Sequence, residues 1–281
     1  MLARVLIFGN GWIGNKFAAR LPGSAVTATD ITDRQAVRRI LADHAPSAVL
    51  NCAGKTGRPN IDWCEEHKLE TLASNTIGPP VLARECLDRG VFFAHVGSGC
   101  VYDGDNGGAG YGEDDPPNFF GSYYSRTKLW SEQALRELPV LLLRLRMPID
   151  GMPGPRNLIT KLAGYGKVIS IPNSVSVLDD FLPAAIELVR RRRTGIYNLT
   201  NPGAIVHPRI LELYREIVDP SLVFETISME NLGGRVKTGR SNCVLSTVKI
   251  EREGIRLRPV EEAVRSAMVE YRKHAAAAVR V

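Results

Sequence analysis

Short apolar runs alternate with longer segments of helical periodicity through the first two-thirds of the chain. Several runs, such as Val5–Phe8, are continuously hydrophobic, which is typical of strands buried on both faces of a parallel sheet. The predicted strands are Val5–Phe8, Ala25–Thr29, Ala48–Asn51, Val91–Val96, Val140–Leu145 and Ile196–Leu199. The predicted helices occupy about 13–21, 33–44, 65–88, 123–138 and 180–193. This alternation predicts an α/β fold with a doubly wound parallel sheet.

The pattern changes after Arg146, where a segment rich in proline and glycine leaves the regular sheet. Two further helical patterns follow, at about 207–218 and 259–275, and the terminal HAAAAVRV is typical of a frayed helix. We therefore expect a smaller second lobe that closes over the carboxyl edge of the sheet. The predicted division assigns 1–147 and 177–200 to a nucleotide-binding domain, and 148–176 and 201–281 to a substrate-binding lobe.

Composition narrows the class of protein. The chain has 281 residues, of which 44% are apolar and 23% charged, as in ordinary soluble globular proteins. It shows neither a run of about 18 apolar residues nor the pattern of a signal peptide, so we expect no membrane partner and a cytoplasmic location. Five cysteines without C-x-x-C spacing predict neither a disulfide framework nor a metal site.

The net charge of +6 fits a nucleic acid or a small substrate that carries phosphate. The densest basic run, Arg190–Arg193, closes a helical pattern just before Gly195. Cations at the end of a helix interact favourably with its dipole, and glycine commonly stops a helix. We therefore interpret the run as structural and expect no nucleic-acid partner.

A glycine-rich turn follows the first predicted strand. Gly9-Asn10-Gly11-Trp12-Ile13-Gly14 has the G-x-G-x-x-G pattern at the start of a helix. Glycines let the backbone turn tightly and approach a pyrophosphate, which then lies at the helix N-terminus. Asp30 follows the second strand, at the position where an acidic residue usually contacts the adenosine ribose. The alternative interpretation of this polar segment is structural, with Thr32 or Asp33 as the cap of the next helix.

A second motif indicates reduction of a carbonyl group. Tyr124 and Lys128 are four residues apart in a helical pattern and so share a helix face. A cation beside a phenol favours its ionised form, which suits proton exchange with a carbonyl oxygen. Ser98 lies in the small polar segment that ends the fourth strand, two residues after Val96, and is placed to give that oxygen a second hydrogen bond.

Together these motifs resemble the extended branch of the short-chain dehydrogenase/reductase superfamily, which mostly acts on nucleotide sugars. The resemblance implies that Ser98, Tyr124 and Lys128 are the catalytic triad, and that Lys128 also holds the nicotinamide ribose. Asn51-Cys52-Ala53-Gly54 resembles the N-A-A-G segment that lines the cofactor in this superfamily.

Longer segments resemble the 3,5-epimerase/4-reductase part of plant-type nucleotide-rhamnose synthases. Thr56–Glu65, with the sequence TGRPNIDWCE, is the longest of them. The others are Pro117–Phe119, Gly121–Ser125, Arg146–Ile149, Pro155–Asn157, Ile171–Ser174 and Asn201–Gly203. Their order spans almost the whole chain, and bacterial dTDP-4-dehydrorhamnose reductases are a more distant likeness.

Two residues separate an epimerase-reductase from a plain reductase. Cys100 lies two positions after Ser98, where the resembled enzymes carry an epimerisation cysteine, and Lys161 matches their partner acid in an I-T-K segment. A buried cysteine is more often inert and a lone lysine is usually solvated. The 4-keto group of the sugar acidifies the hydrogens on C3 and C5, so inversion needs a base and an acid on opposite ring faces. A thiolate is a suitable base.

The resemblance also implies a wider set of binding residues, with NADPH or NADH as cofactor, a nucleotide sugar as substrate and a homodimer as assembly. The implied cofactor residues are Gly9, Gly11, Trp12, Ile13, Gly14, Asp30, Ile31, Asn51, Cys52, Ala53, Gly54, Asn75, Tyr124, Lys128 and Met147. The implied substrate residues are Thr56, Arg58, Asn60, Asn118, Asn157 and Arg240. Candidates for a shared dimer face are Leu69, Leu72, Ile77 and Val81.

Departures from the family pattern leave alternatives open. The turn GNGWIG is one residue shorter than the usual G-x-x-G-x-x-G, so NADPH and NADH both remain, and Asp30-Ile31 aligns with a segment used at the adenine. Leu232–Arg240 differs from the plant type, although Arg240–Asn242 resembles its diphosphate segment, which leaves UDP and dTDP open. The alternative functions are a 4-ketoreductase without epimerase activity and, less favoured because Tyr124 and Lys128 are present, a non-catalytic regulatory subunit.

Overall fold

Six parallel strands form the central sheet in the computed structural model, which describes residues 4–232 and 236–278. The strands are β1 Val5–Phe8, β2 Ala25–Thr27, β3 Ala48–Asn51, β4 Phe92–Ser98, β5 Leu141–Leu145 and β7 Gly195–Asn198. Their spatial order is β2-β1-β3-β4-β5-β7. The chain direction across the sheet therefore reverses between β1 and β3, and ligands of such sheets bind outside the carboxyl ends of the strands at this point.

Both faces of the sheet are covered by helices, as the hydrophobic runs predicted. Val5 and Ile7 of β1 pack in one buried cluster with Phe17 and Phe181, whose rings meet edge to face at 6.0 Å. The intervening Leu6 and Phe8 belong to a second cluster on the other face. The helices are α1 Trp12–Ala18, α2 Arg34–His44, α3 Trp63–Glu66, α4 Lys68–Leu72, α5 Gly78–Leu87, α6 Tyr123–Leu135, α7 Leu158–Ala163, α8 Leu178–Arg190, α9 His207–Ile217, α10 Met229–Leu232, α11 Val248–Arg252 and α12 Val260–Ala278.

The continuous helix predicted at 65–88 is wrong. The structure divides this segment into α3, α4, a π-helical turn at Ala73–Ile77, and α5. His67, with φ −117° and ψ 54°, breaks the first two helices apart. Pro79 and Pro80 stand in the first turn of α5, where the missing proline N–H costs least. Apolar periodicity continues through all four pieces, which is why the sequence pattern concealed the breaks.

A further buried cluster lies after the fifth strand. It contains Ile149, Ile159 of α7, Leu211 of α9 and Met268 of α12, so the two late helical patterns are confirmed. Beside it, β6 Lys167–Ile169 and β8 Glu225–Ile227 form a two-stranded parallel sheet that the sequence pattern did not predict. Residues 233–235 of the divergent segment Leu232–Arg240, and 279–281 of the predicted frayed end, lie outside the described residues.

The basic run Arg190–Arg193 begins at the last residue of α8 and pairs with nearby glutamates. Arg190 and Arg191 both contact Glu187 at 2.6 Å, and Arg193 pairs with Glu253 at 2.8 Å. These pairs confirm the structural interpretation of the run. All five cysteines are free thiols. None of the helices in the described ranges has the length and apolarity to cross a membrane.

Candidate active site

A cavity of about 950 Å³ opens at the carboxyl end of the sheet, beside the turn that follows β1. Its wall combines the ends of β4 and β5 with α6, α7, the two short strands Lys167–Ile169 and Glu225–Ile227, and the segment after the second of them. The predicted site residues that line it are Gly11, Trp12, Ile13, Cys52, Gly54, Thr56, Asn60, Ser98, Cys100, Tyr124, Met147, Lys161 and Arg240. Residues from eight separate sequence segments therefore meet at one place.

The glycine turn has the close packing that a dinucleotide cradle requires. A Cβ atom on Gly14 would lie 2.1 Å from the carbonyl oxygen of Gly9, and one on Gly9 would lie 2.6 Å from the Ala53 nitrogen. A Cβ on Gly11 would meet nothing within 4 Å, because this residue faces the open cavity. The first turn of α1 has no side-chain cap, so its N–H groups are available to a pyrophosphate. These features fit a nicotinamide dinucleotide.

A carboxylate ties the helix after this turn to the chain beyond β5. Asp150 accepts a hydrogen bond from Trp12 Nε1 at 3.3 Å, and the same oxygen lies 2.5 Å from Lys16 Nζ. Asp150 is buried and follows Ile149, which belongs to the cluster around α7, α9 and α12. The glycine turn and this cluster therefore share a buried ionic contact.

The segment after β3 is held from beneath by Asn75. This fully buried amide accepts from the Lys55 nitrogen at 2.7 Å and donates to the Lys55 carbonyl at 2.9 Å, from the π-helical turn. A Cβ on Gly54 would come within 3.2 Å of both Asn75 Oδ1 and Lys128 Nζ. Glycine at 54 thus leaves the space that the Lys128 ammonium occupies. Asn51 Oδ1 accepts from the Ala53 nitrogen at 3.0 Å and shapes the same loop.

Ser98 and Tyr124 line the cavity, and the Lys128 ammonium lies next to Gly54, a residue of the cavity wall. Ser98 is the last residue of β4, whereas α6 begins at Tyr123 because the Ser122 hydroxyl caps it by accepting from the Ser125 nitrogen. Burial raises the pKa of Tyr124, and a hydrogen bond with Ser98 opposes that rise. Burial lowers the pKa of Lys128 to about 8, and its ammonium donates to the Val96 carbonyl at 3.4 Å. In the free protein the Tyr124 phenol is therefore neutral, and the Lys128 ammonium loses its proton more readily than that of an ordinary lysine.

Cys100 and Lys161 line the cavity from different elements. Cys100 follows β4, where its backbone nitrogen donates to Ser98 Oγ at 3.1 Å and its sulfur accepts from Arg146 Nη1 at 2.8 Å. Lys161 lies on α7, and burial followed by the charge of Arg156 lowers its pKa. An amine of lowered pKa exchanges protons more readily near neutrality. The structure thus brings a thiol and an amine to the same cavity.

The outer wall carries two arginines with different partners. Arg240 forms an ion pair with Asp62 at 2.8 Å, so its charge is already partly compensated. Arg156 donates hydrogen bonds to the Thr56 hydroxyl and the Gly57 carbonyl, and no carboxylate of the described chain pairs with it. Burial and the charge of Arg58 lower the pKa of Arg156. An anionic substrate group placed here would relieve this repulsion between cations.

Several predicted residues lie outside the cavity wall. Asn118 accepts from the Asp103 nitrogen at 2.8 Å and donates to the Asp103 carbonyl, so it closes a loop. Asn157 is buried as the N-cap of α7, where it accepts from the Ile159 nitrogen at 3.1 Å. Arg58 borders a smaller neighbouring cavity. Their substrate roles remain predictions.

The two residues after β2 differ in environment. The Asp30 carboxylate closes a local turn, where it accepts hydrogen bonds from the Thr32 nitrogen at 2.9 Å and the Thr32 hydroxyl at 2.7 Å. Ile31 is 3% exposed and packs in the core. Neither lines the cavity, and their place near the adenine also remains a prediction.

Arg146, Arg156 and His207 are polar cavity residues to which the sequence patterns assigned no role. The first two lie within segments that carried the resemblance, but their lack of a carboxylate partner is visible only in three dimensions. His207 begins α9, and its Nε2 is buried without a hydrogen-bond partner in the described structure. Its signal in the sequence was only the start of a helical pattern.

The fold and this constellation define a nicotinamide-dependent oxidoreductase of the short-chain dehydrogenase/reductase type. A family model described as the RmlD substrate binding domain matches residues 3–149, which is more than half of the chain. The chain belongs to that family, whose members include dTDP-4-dehydrorhamnose reductases. This result confirms the resemblance found in the sequence.

Two curated relatives extend the match. The bifunctional dTDP-4-dehydrorhamnose 3,5-epimerase/dTDP-4-dehydrorhamnose reductase of Arabidopsis thaliana is 41% identical over 271 residues, covering 92% of this chain and 90% of that protein. A trifunctional UDP-glucose 4,6-dehydratase/UDP-4-keto-6-deoxy-D-glucose 3,5-epimerase/UDP-4-keto-L-rhamnose-reductase of the same plant is 37% identical over 93% of this chain. This chain spans 41% of that longer relative.

Solved structures agree with the fold. The L780 UDP-rhamnose synthase of Acanthamoeba polyphaga mimivirus matches with a TM-score of 0.91 at 34% identity, covering 95% of this chain and 99% of that one. A dTDP-4-dehydrorhamnose reductase of Bacillus anthracis, solved with NADP, matches with a TM-score of 0.84 at 19% identity and shares the fold. The doubly wound α/β prediction is therefore confirmed.

Proposed function

We propose that this protein converts a nucleoside-diphosphate 4-keto-6-deoxyglucose, carried on UDP or dTDP, to the L-rhamnose derivative by 3,5-epimerisation followed by 4-reduction. The observation that carries the proposal is that Cys100 and Lys161 line the same cavity as Ser98 and Tyr124. A plain reductase needs the second pair and Lys128, but neither Cys100 nor Lys161. The names of both Arabidopsis relatives combine epimerase and reductase activities, which supports the proposal.

The epimerisation begins at a carbon next to the keto group. Cys100 takes the proton from C3 or C5, and the electron pair moves to O4 as an enolate. Ser98 and Tyr124 hydrogen-bond this oxygen, so the negative charge develops where donors already stand. Lys161 returns a proton to the other face of the ring. Each inversion leaves the substrate with the same atoms and charge.

The reduction uses the same oxygen site. A nicotinamide cofactor, NADPH or NADH, would supply the hydride for C4 when bound, and Tyr124 gives its phenolic proton to O4. Lys128, whose Nζ lies beside Gly54, would hold the nicotinamide ribose, and its charge favours the phenolate that remains. The turn Gly9–Gly14 and the loop Asn51–Gly54 would hold the dinucleotide, because their glycines leave room for close approach of the backbone.

The substrate diphosphate has a suitable place on the outer wall. Arg156 offers a guanidinium without a carboxylate partner in the described structure, and such a group binds phosphate in bidentate geometry. Arg240 joins it after exchanging its contact with Asp62 for one with phosphate. The segments 148–176 and 201–281 then act as the substrate lobe over a dinucleotide domain formed by 1–147 and 177–200.

A cytoplasmic homodimer completes the proposal. Leu69 is 82% exposed and Ile77 50% exposed on the broken helical segment, and Trp130 of α6 is also exposed. Such a face suits a second copy of the chain. Sedimentation at micromolar concentration should give a dimer for the wild type and a monomer for Leu69→Glu. A monomeric wild type would contradict this part of the proposal.

The decisive experiment separates the two chemical steps with Cys100→Ala. Incubated in D₂O with UDP- or dTDP-4-keto-6-deoxyglucose and no cofactor, the wild type should incorporate deuterium at C3 and C5, whereas Cys100→Ala should not. With cofactor and a substrate already inverted by a separate 3,5-epimerase, the variant should still reduce C4, as product NMR would show. The matched control is Cys86→Ala, which removes a thiol from the core away from the cavity. Exchange at the wild-type rate in Cys100→Ala would favour the alternative, a 4-ketoreductase in which the cysteine only packs.

A further inference from the structure

Arg146 is a fully buried cation without a carboxylate partner in the described part of the chain. It follows β5 and is 2% exposed. Its Nη2 donates to Asn173 Oδ1 at 2.5 Å and to the Ser241 carbonyl at 2.7 Å, and its Nη1 donates to Cys100 Sγ at 2.8 Å. Its Nε is buried and has no hydrogen-bond partner among the residues that the structure describes. The acceptors are therefore two neutral oxygens and one sulfur.

Arg144, two residues earlier on β5, shows what a buried guanidinium in this protein otherwise has. It is 1% exposed, and its Nε and Nη2 donate to the two carboxylate oxygens of Glu132 at 2.8 and 2.7 Å. Burial of an uncompensated charge is costly, which is why buried charges are normally paired. Arg146 departs from this rule unless one of the groups around it is an anion.

Among the described residues, the other ionisable groups near Arg146 and Cys100 are Lys128, Tyr124, Cys243 and His207. Burial raises the pKa of Tyr124 and of Cys243, so both stay protonated near neutrality. Burial and the charge of Arg146 lower the pKa of His207 to about 4, so this ring is neutral. Lys128 adds a second cation. The remaining ionisable neighbour is Cys100, whose sulfur accepts the hydrogen bond from Arg146.

We propose that Arg146 holds Cys100 as a thiolate in the resting enzyme and is thereby the positioning residue for the base of the ring epimerisation. The inference rests on the proposed function for its catalytic meaning. The half-buried sulfur faces the cavity on one side and the guanidinium on the other. When the thiolate takes the carbon-bound proton, the electron pair passes to O4, and the Lys161 ammonium returns a proton to carbon. Exchange with solvent then resets both groups.

The test is the pH dependence of Cys100 alkylation by iodoacetamide, followed by the mass of the peptide that carries this cysteine, without substrate or cofactor. Removing an opposite charge at this distance should raise the midpoint by about 1–3 pH units in Arg146→Gln. Arg146→Lys should restore part of the shift, because it keeps the charge but loses the forked geometry. An unchanged midpoint in folded Arg146→Gln overturns the proposal.

A second variant keeps the test independent of removing a buried arginine. Asn173→Asp is nearly isosteric and places a carboxylate on the guanidinium, since Asn173 Oδ1 already accepts from Nη2. Arg146 then has a competing anion, and the Cys100 midpoint should again rise. If the midpoint stays at the wild-type value, the thiolate is not held by Arg146.

The outcomes separate this proposal from the proposed function. A low midpoint that depends on Arg146, in a protein without deuterium exchange, would keep the ion pair and reject the epimerase. Deuterium exchange that requires Cys100, together with an alkylation midpoint that does not change in Arg146→Gln, would keep the epimerase and reject the ion pair. A raised KM with an unchanged midpoint in Arg146→Gln would make this residue a substrate ligand and overturn its role beside the thiol.

Discussion

Replacing Lys128 with methionine should stabilise the free protein while it removes reduction. The ammonium is 7% exposed and donates a hydrogen bond of 3.4 Å to the Val96 carbonyl, and no carboxylate within the described residues pairs with it. Burial lowers its pKa from 10.5 to about 8. At about 1.4 kcal/mol per pKa unit, burying the charged form costs about 3 kcal/mol. Methionine keeps the length of the side chain without the charge.

The sign of the pH dependence follows from the same values. Between pH 8 and 10.5 the unfolded chain binds a proton at Lys128 that the folded chain has lost, so this group makes the wild type more stable as the pH rises. The advantage of Lys128→Met should therefore be full below pH 8 and should disappear towards pH 10.5. The difference between the two proteins isolates this residue from other titrating groups.

Chemical denaturation of the cofactor-free proteins at pH 7 and pH 10 measures the effect. At neutral pH we expect a gain of about 3 kcal/mol, which corresponds to a rise of about 5–10 °C in Tm for a chain of this size. Reduction should fall by at least about 10². A folded Lys128→Met that is no more stable than the wild type at pH 7 would refute the reasoning, because the buried ammonium would then carry no cost.

Three further predictions concern the proton donor, the turn and the core. Tyr124→Phe should lose about 10²–10⁴ in reduction while NADPH binding, followed by fluorescence, stays near normal; half of the wild-type turnover would exclude Tyr124 as the acid. Gly11→Ala should weaken cofactor binding without lowering Tm, since its Cβ would enter open cavity, whereas Gly14→Ala should lower both; equal behaviour of the two would contradict the cradle. Glu85 is buried, and although burial opposes its ionisation, hydrogen bonds from Arg34, Arg38 and Arg89 lower its pKa to about 2. Glu85→Gln should lower the free energy of unfolding by about 2 kcal/mol at pH 7, a value reduced because the arginines are partly exposed. This difference should shrink as the pH falls from 4.5 to 2, and a constant difference would exclude an ionic origin.

The sheet was predictable because its strands are hydrophobic on both faces. Val5–Phe8 and Ala48–Asn51 were placed to the residue, and β4 ran two residues beyond its predicted end, to Ser98. The small sheet of β6 and β8 was missed, since each strand has three residues and Glu225 and Thr226 are exposed. Apolar periodicity also does not reveal a local change of backbone conformation, so the π-helical turn was hidden.

The candidate site was predictable where chemistry follows sequence spacing. Tyr124 and Lys128 share a helix, and Cys100 follows Ser98 by two residues, so short motifs carried these assignments. Arg146 and Arg156 were not predictable in this way, because what distinguishes them is the absence of a carboxylate partner within the described structure. Such a deficit depends on groups distant in the chain, for example Asn173 and Ser241 around Arg146. Spacing along the sequence contains no information about it.

The contact of Asp150 with Trp12 and Lys16 has a consequence for how the two ligands influence each other. A dinucleotide that immobilises the start of α1 also immobilises Asp150, since both side chains of the helix hold the same carboxylate oxygen. The first ligand to bind loses the conformational entropy of the segment around Asp150. The second ligand then binds to a segment that is already ordered. Dinucleotide and nucleotide sugar should therefore bind with positive cooperativity of equal size in either order of addition, even where neither one moves the backbone.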